Sequence, residues 1–418
     1  MSSPTVARTG FSSWPAVVPT CRRRRSRSEE AGQLVALGDA TGASMAQADR
    51  PGMVQSGQTQ AESAPPNPGG TRVDPVQALR RTAFLLEREQ ASSYRVEAFR
   101  KAAAVLLALD AGEFDARLGA GTLTELSGIG KSSAEIVTQA AAGTTPQRLQ
   151  TLEDAAGPLV EGGVAIRTAI RGDLHTHTNA SDGGSPLAEM AFTAAELGHD
   201  YIAVTDHSEG LTVANGLNRE RREGQLAQIA ALATPLAPFR LLSGIEVDIG
   251  RDGTLDCPPD LLDRLDVVVA SVHSELRMPA DAMTRRMLAA VRGGRMDVLG
   301  HCTGRMVKGG HGRVGAKGRP PSDFDAAAVF AACVEHDVAV EINARPERLD
   351  PPRALLRQAV EAGCLFSLST DAHAPGQLDW QPYGCARAEE CGVPVDRIIT
   401  TWDVDRLTEW VGSRRVRG

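Results

Sequence analysis

From residue 73 to 145 the apolar positions recur every three or four residues. PVQALRRTAFLLEREQ (75–90) and YRVEAFRKAAAVLLAL (94–109) each carry one apolar stripe, the signature of amphipathic helices. LTELSGIGKSSAEIVTQAAAG (123–143) continues the period, but Gly128 and Gly130 interrupt it. The spacing predicts a tight helix–turn–helix whose second helix starts near Gly130–Lys131. Glycines there let the backbone turn sharply, and the unpaired amides of a helix start are a natural seat for phosphate.

From 171 the pattern changes. Short apolar runs near 172–177, 201–207, 241–249, 267–273, 298–303, 339–345 and 365–373 alternate with amphipathic helical stretches. That alternation predicts a parallel sheet. About seven βα units suit a closed or distorted barrel better than an open sheet. The expected organisation is a tail over 1–72, a small all-α domain over 73–145, a connector over 146–170 and an α/β domain over 171–418.

The tail is rich in Ser, Gly, Ala, Pro and Gln and holds the block RRRRSR (22–27). Its expected state is disorder. The residues after the arginines are too polar for a secretory signal, and Met45 and Met53 are alternative starts. With 42% hydrophobic and 23% charged residues the remainder reads as globular. A formal charge of −7 gives no global pull toward nucleic acid or anionic membrane. No run of 18 apolar residues argues for a membrane span. Seven cysteines without a CxxC pair fit free thiols in a reducing compartment, so the expected location is cytoplasmic.

The chemistry sits where the apolar runs end. DLHTH ends on His175 and His177, YIAVTDH on Asp206 and His207, LLSGIE on Glu246, VVVASVH on His273, VLGH on His301, AVEINAR on Asn343 and Arg345, and LFSLSTDAH on Asp371 and His373. In a parallel βα barrel all carboxyl ends of the strands meet on one face. Six of the nine histidines, with Asp182, Glu246 and Asp371, would converge there. That is too many ligands for one ion and about right for two or three. Imidazole with carboxylate admits Zn, Mn or Fe. For Asp206 two readings stand: a member of this rim, or a carboxylate that orients its neighbour His207.

HTHTNASDG, AVTDHS, GIEVDI, SVHS, LGHCTGR, EINARPERLD and STDAH resemble the successive motifs of the PHP (polymerase and histidinol phosphatase) family over residues 171 to about 412. The resemblance implies a distorted seven-stranded (β/α)7 barrel with a three-metal centre. His175, His177, Glu246 and Asp371 would hold one ion. Glu246 would bridge to a second, held with His273 and His301. Asp182, His207 and His373 would hold the third. The implied activity is phosphoester hydrolysis, for which clustered cations activate water and clamp the phosphate. Glu246 and His273 would carry the catalysis, with Arg305 and Arg348 adding bidentate phosphate contacts.

SSYRVEAFRKAA followed by LSGIGKSSAEIV resembles the helix–hairpin–helix N-terminal domain of family X DNA polymerases, in whose bacterial members a PHP domain follows the polymerase. Only 25 residues separate 145 from 171, too few for a polymerase palm. The position matching the lyase lysine of eukaryotic relatives is Ile136, which cannot form a Schiff base. DNA contacts are therefore expected at Gly128, Gly130 and Lys131. Residues 72–145 hold nine Lys and Arg against nine Asp and Glu, so they offer little electrostatic field for a duplex. The loop RMVKGGHGRVGAKGR (305–319) is basic and reads equally as a lid over the pocket or as a disordered surface insertion. The expected substrate is a DNA 3′ end, as an exonuclease or a 3′ phosphatase. A small-molecule phosphatase of the histidinol-phosphatase type and a non-catalytic DNA-binding repair module are the alternatives. No membrane partner is expected.

Overall fold

Asp74 and Pro75 start the first helix. The Asp74 carboxylate accepts the Gln77 amide at 3.0 Å, and Pro75 occupies a position where no amide is needed. This structure, a computed structural model, describes residues 73–307 and 318–415. The expected disordered tail and residues 308–317 of the basic loop lie outside the described residues.

The helical domain runs α1 (Pro75–Arg88), α2 (Ser93–Ala108), α3 (Ala111–Ala120) and α4 (Lys131–Ala141). Leu79, Phe84, Phe99, Leu106 and Ile136 fill its core. The second helix of the hairpin starts at the expected place, while the stretch before the turn forms only a 3₁₀ turn, Leu123–Glu125, in place of an α-helix. Gly128 takes φ +100°, which other residues rarely adopt, and Gly130 caps α4. Ser133 Oγ accepts the Gly130 amide and donates back to the Gly130 carbonyl, both at 3.0 Å. One of the amides expected to face a phosphate is thus already engaged.

Residues 146–170 are not a bare connector. They form α5 (Gln147–Ala155) and α6 (Val164–Ala169). Leu149 of α5 joins the helical core, while Ile166 of α6 joins the core of the barrel. Each short helix is stabilised by a different neighbour.

The barrel then follows as β1 (Gly172–Thr176), α7 (Leu187–Glu196), β2 (Tyr201–Val204), α8 (Arg219–Leu236), β3 (Arg240–Asp248), α9 (Pro259–Leu262), β4 (Val267–Ser271), α10 (Ala280–Arg292), β5 (Val298–Leu299), α11 (Ala326–Glu335), β6 (Ala339–Asn343), α12 (Arg353–Ala362) and β7 (Phe366–Ser369), closing with α13 (Gln381–Glu390) and α14 (Val404–Arg415). The seven strands pair in parallel in sequence order. Runs such as VVVAS are buried on both faces, as all-parallel sheets require. The ring is nearly closed. A parallel bridge joins Thr176 to Ala372, and the His177 amide donates to the Ala372 carbonyl at 2.7 Å. Asp173 completes the seam, accepting from Thr370 Oγ1 at 2.6 Å and the Thr370 amide at 3.1 Å.

Cys302, Cys333, Cys364, Cys385 and Cys391 are free and buried, and Cys257 is free and half-buried. Among the described residues no helix is long and apolar enough to cross a membrane.

A candidate metal centre at the carboxyl ends of the strands

Each strand delivers its polar residues at or just past its carboxyl end, because the apolar run that makes the strand stops there. β1 presents His175 and His177, and the turn after it presents Asp182. His207 follows β2, and Glu246 lies near the end of β3. His273, His301, Asp371 and His373 follow β4, β5 and β7. His175 and His177 are fully buried, while Asp182 and His373 are partly open. Asp371 adopts φ +54°, a left-handed conformation that an aspartate tolerates and that marks a constrained position.

Glu246 is the centre of the cluster. Its Oε2 lies 3.2 Å from His175 Nε2, 3.4 Å from His177 Nε2 and 3.1 Å from His207 Nδ1. Its Oε1 lies 3.2 Å from His273 Nε2 and 2.8 Å from His301 Nε2. One carboxylate therefore has an oxygen for each of two histidine groups. Asp371 Oδ1 is 3.5 Å from His177 Nε2 and 4.0 Å from His175 Nε2. Asp182 joins His207 Nε2 at 3.6 Å and His373 Nε2 at 3.4 Å. All nine expected residues meet. Three sets could hold a cation: His177, Asp182, His207 and His373; His175, His177 and Glu246; and His207, Glu246 and His273. His177 and His207 each reach into two sets, so the partition is less sharp than expected.

The electrostatics keep the carboxylates charged and His177 neutral, as ligands to a cation must be, while His273 holds a proton. Although burial opposes charge, the histidines around Glu246 hold its carboxyl well below the usual range. Burial likewise opposes charge on Asp371, but Arg348 and His175 hold it well below. Burial and the neighbouring His373 and His207 push His177 down to about 4. His273, against the trend of burial, is raised to about 9 by Glu246 and Asp248. The donor set passes a further test. His175 Nε2, both nitrogens of His177, His207 Nδ1, His273 Nε2 and His301 Nδ1 are buried without a hydrogen-bond partner. Buried polar atoms are rarely left so. Several such imidazoles converging on three carboxylates fit one or more divalent ions.

A supporting ring of acids escaped the sequence reading. Glu341 Oε1 lies 2.6 Å from His175 Nδ1, and Asp248 Oδ1 lies 2.7 Å from His273 Nδ1. A signal was present: Glu341 alternates with Asn343 and Arg345 along β6, and Asp248 sits two residues beyond Glu246 on β3, so each shares a strand face with residues already singled out. Asp206 does not orient His207. Its carboxylate accepts from the Thr178 amide at 2.8 Å, Thr178 Oγ1 at 2.7 Å, Ser181 Oγ at 2.5 Å and Gln225 Nε2 at 2.5 Å. It pins the turn that carries Asp182.

The two expected arginines part company. Arg348 Nε lies 2.9 Å from Asp371 Oδ2, inside the centre, and its Nη1 is a buried donor with no acceptor. Arg305 instead donates from Nε to the Arg348 carbonyl at 3.0 Å and from Nη2 to the Leu349 carbonyl. Gly128, Gly130 and Lys131 lie apart on the hairpin of the helical domain, where Lys131 is exposed. Ile136 is a core residue there.

Two family models agree with this architecture. A family model described as the PHP domain matches residues 173–345, and one described as a helix-hairpin-helix domain matches residues 71–145. The DNA polymerase/3'-5' exonuclease PolX of Bacillus subtilis is 38% identical over 221 residues, 53% of this chain. The match spans only 37% of that polymerase's length. A probable phosphatase of Vibrio campbellii is 30% identical over 215 residues, 49% of this chain and 78% of that protein. A crystal structure of histidinol phosphate phosphatase from Lactococcus lactis, complexed with zinc, L-histidinol and phosphate, overlaps with a TM-score of 0.39 at 20% identity, covering 53% of this chain and 94% of that one.

A barrel with this rim of histidines and acids is that of a phosphoesterase, a hydrolase. The chain belongs to the PHP domain family.

Proposed function

We propose that this chain hydrolyses phosphoesters at DNA 3′ ends, as a 3′–5′ exonuclease or 3′ phosphatase, with a centre of two or three divalent ions. The observation that carries the metal reading is the position of Glu246, whose two oxygens face separate histidine groups. His175, His177, Glu246 and Asp371 would hold one ion, Glu246, His273 and His301 a second, and Asp182, His207 and His373 a third. Bound there, Zn, Mn or Fe would supply Lewis acidity toward the phosphoryl group and make water acidic enough to ionise near neutral pH.

The chain's own groups do the rest. Arg348 offers its unpaired Nη1 to a phosphate oxygen. Arg305, expected to bind phosphate too, is better read as a brace for the loop that carries Arg348, since two of its nitrogens are engaged by backbone carbonyls. Gly128, Gly130 and Lys131 would meet a DNA backbone. With nine basic and nine acidic residues over 72–145 that contact relies on local amides and not on a broad field. The short helices α5 and α6 fill the interval in which a polymerase palm would have to fit, so synthesis forms no part of the reading.

DNA is favoured by the PolX relative and by the helix-hairpin-helix match. The balanced charge of that domain and the Vibrio probable phosphatase favour a second reading, a small phosphomonoester. One experiment separates them. With manganese, the protein should shorten a 5′-labelled single strand, and His273→Ala should stop it while circular dichroism stays unchanged. Rapid turnover of p-nitrophenyl phosphate, indifferent to added DNA and with every oligonucleotide left intact, would replace the first reading with the second.

A further inference from the structure

The helical domain grips the two segments that follow Asp182 and His373. Immediately after His373, residues Pro375–Trp380 form a 3₁₀ turn. The end of α1 closes on that turn. Glu87 Oε2 accepts the Gly376 amide at 2.7 Å, the Arg88 carbonyl accepts Trp380 Nε1 at 2.9 Å, and Arg88 Nε lies 2.7 Å from Asp379 Oδ2. A Cβ on Gly376 would collide with the Phe84 carbonyl, so the backbones meet with no room for a side chain. Glu87 is itself buried and held by Arg100 at 2.8 and 2.6 Å.

On the site side the same turn fixes His373. The His373 amide donates to Gln377 Oε1 at 2.7 Å. Its Nδ1 lies 2.9 Å from the Asp371 carbonyl and 2.8 Å from Arg345 Nη1, and the Arg345 guanidinium stands 5.8 Å from the centre of the Trp380 ring. The second segment is α7, which begins five residues after Asp182. There Glu189 pairs with Arg80 at 3.2 Å and with Arg100. The two segments also touch each other, the Gly184 amide donating to the His373 carbonyl at 2.7 Å.

We infer that Glu87 and Arg88 of the helical domain are positioning residues for the cation site of Asp182, His207 and His373. The inference rests on the proposed ligand role of His373. Groups hydrogen-bonded directly to a ligand commonly carry about 10–100-fold in affinity. Glu87 and Arg88 act one step further out, through Gly376, Asp379 and Trp380, so their effect is expected to be smaller. The helical domain is then a wall of the catalytic unit as well as a candidate DNA contact, and a barrel cut free of residues 73–145 would bind its full set of ions poorly.

The test is cobalt(II) titration of the metal-stripped full chain, followed by visible d–d absorption, for the parent, Glu87→Ala, Arg88→Met, Arg88→Lys, His373→Ala and the exposed control Arg81→Met. Glu87→Ala and Arg88→Met should weaken one cobalt equivalent about 3- to 10-fold, less than the loss of a direct ligand partner, and leave the earlier equivalents unchanged. Arg88→Lys should recover part of the loss, and Arg81→Met should match the parent. If Glu87→Ala does not fold, because it strands Arg100, Arg88→Met decides alone. Parent-like titration of the folded Glu87→Ala and Arg88→Met beside a deficient His373→Ala overturns this inference only. Parent-like titration of His373→Ala overturns the ligand reading and this inference with it.

Discussion

Glu341 Oε1 stands 2.6 Å from His175 Nδ1, while Glu341 Oε2 accepts the backbone amide of His301, also at 2.6 Å. One buried carboxylate thus orients a β1 imidazole and fixes the backbone of a second histidine, which follows β5. With Nδ1 held by Glu341, Nε2 of His175 is aimed at Glu246. Glu341→Gln should keep the shape but weaken the acceptor, and metal content or turnover should fall about 10–100-fold. Elemental analysis of dialysed protein, read beside kcat, checks this. Full metal content with normal turnover would show that Glu341 only fills space.

Asp206 is the knot of the turn between β1 and Asp182. Four donors converge on its carboxylate, from Thr178, Ser181 and Gln225. Asp206→Ala strands those donors inside the protein, and each unsatisfied buried group costs about 1–3 kcal/mol. A loss of about 2–4 kcal/mol in urea unfolding is expected, with the weakest cation lost first because Asp182 loosens. A loss below about 1 kcal/mol would mean that water replaces the carboxylate.

The seven strands and the nine clustered residues were legible for one physical reason. A strand buried on both faces is a continuous apolar run, and whatever polar residue ends it must lie at the rim. Strand ends were less legible. The run 298–303 shortens to Val298–Leu299 because the His301 amide turns to the Glu341 side chain and leaves the ladder. The helices within 146–170 escaped notice because α5 carries only Leu149 and Leu152 as large apolar residues, too few to show a period. Which way Arg305 points is decided by the carbonyls of Arg348 and Leu349, contacts formed only in the folded barrel. The turn and the second helix of the hairpin were legible, since Gly128 needs its positive φ wherever the chain turns that sharply, but the stretch before it forms only a 3₁₀ turn, Leu123–Glu125.

Arg348 and Arg305 should therefore behave differently when neutralised. Arg348→Met removes the buried, unpartnered Nη1 that would meet an incoming phosphate, together with the 2.9 Å ion pair to Asp371, and kcat/KM should drop about 100-fold or more. Arg305→Met removes a brace from the 345–350 loop and should act mainly by lowering the melting temperature. Stopped-assay kinetics with thermal unfolding on both variants checks the contrast. Equal kinetic losses with equal melting temperatures would return Arg305 to the phosphate.

Removing cations should cost stability as well as activity. The unfolded chain does not gather Glu246 with its five surrounding histidines, so an ion that binds only the folded barrel stabilises it by mass action, about 2.7 kcal/mol at a concentration 100 times its dissociation constant. Without ions, His177 retains two buried nitrogens with no hydrogen-bond partner, and buried polar groups left so are costly. Dialysis against a chelator should therefore abolish phosphoester hydrolysis and lower the melting temperature by several degrees. Returning manganese or zinc should restore both. The melting shift should shrink in His301→Ala, which takes the 2.8 Å partner from Glu246 Oε1. Differential scanning fluorimetry over a metal titration measures it. A melting temperature blind to both chelator and metal would mean that the rim binds no cation tightly, and that the packed imidazoles stand there for another reason.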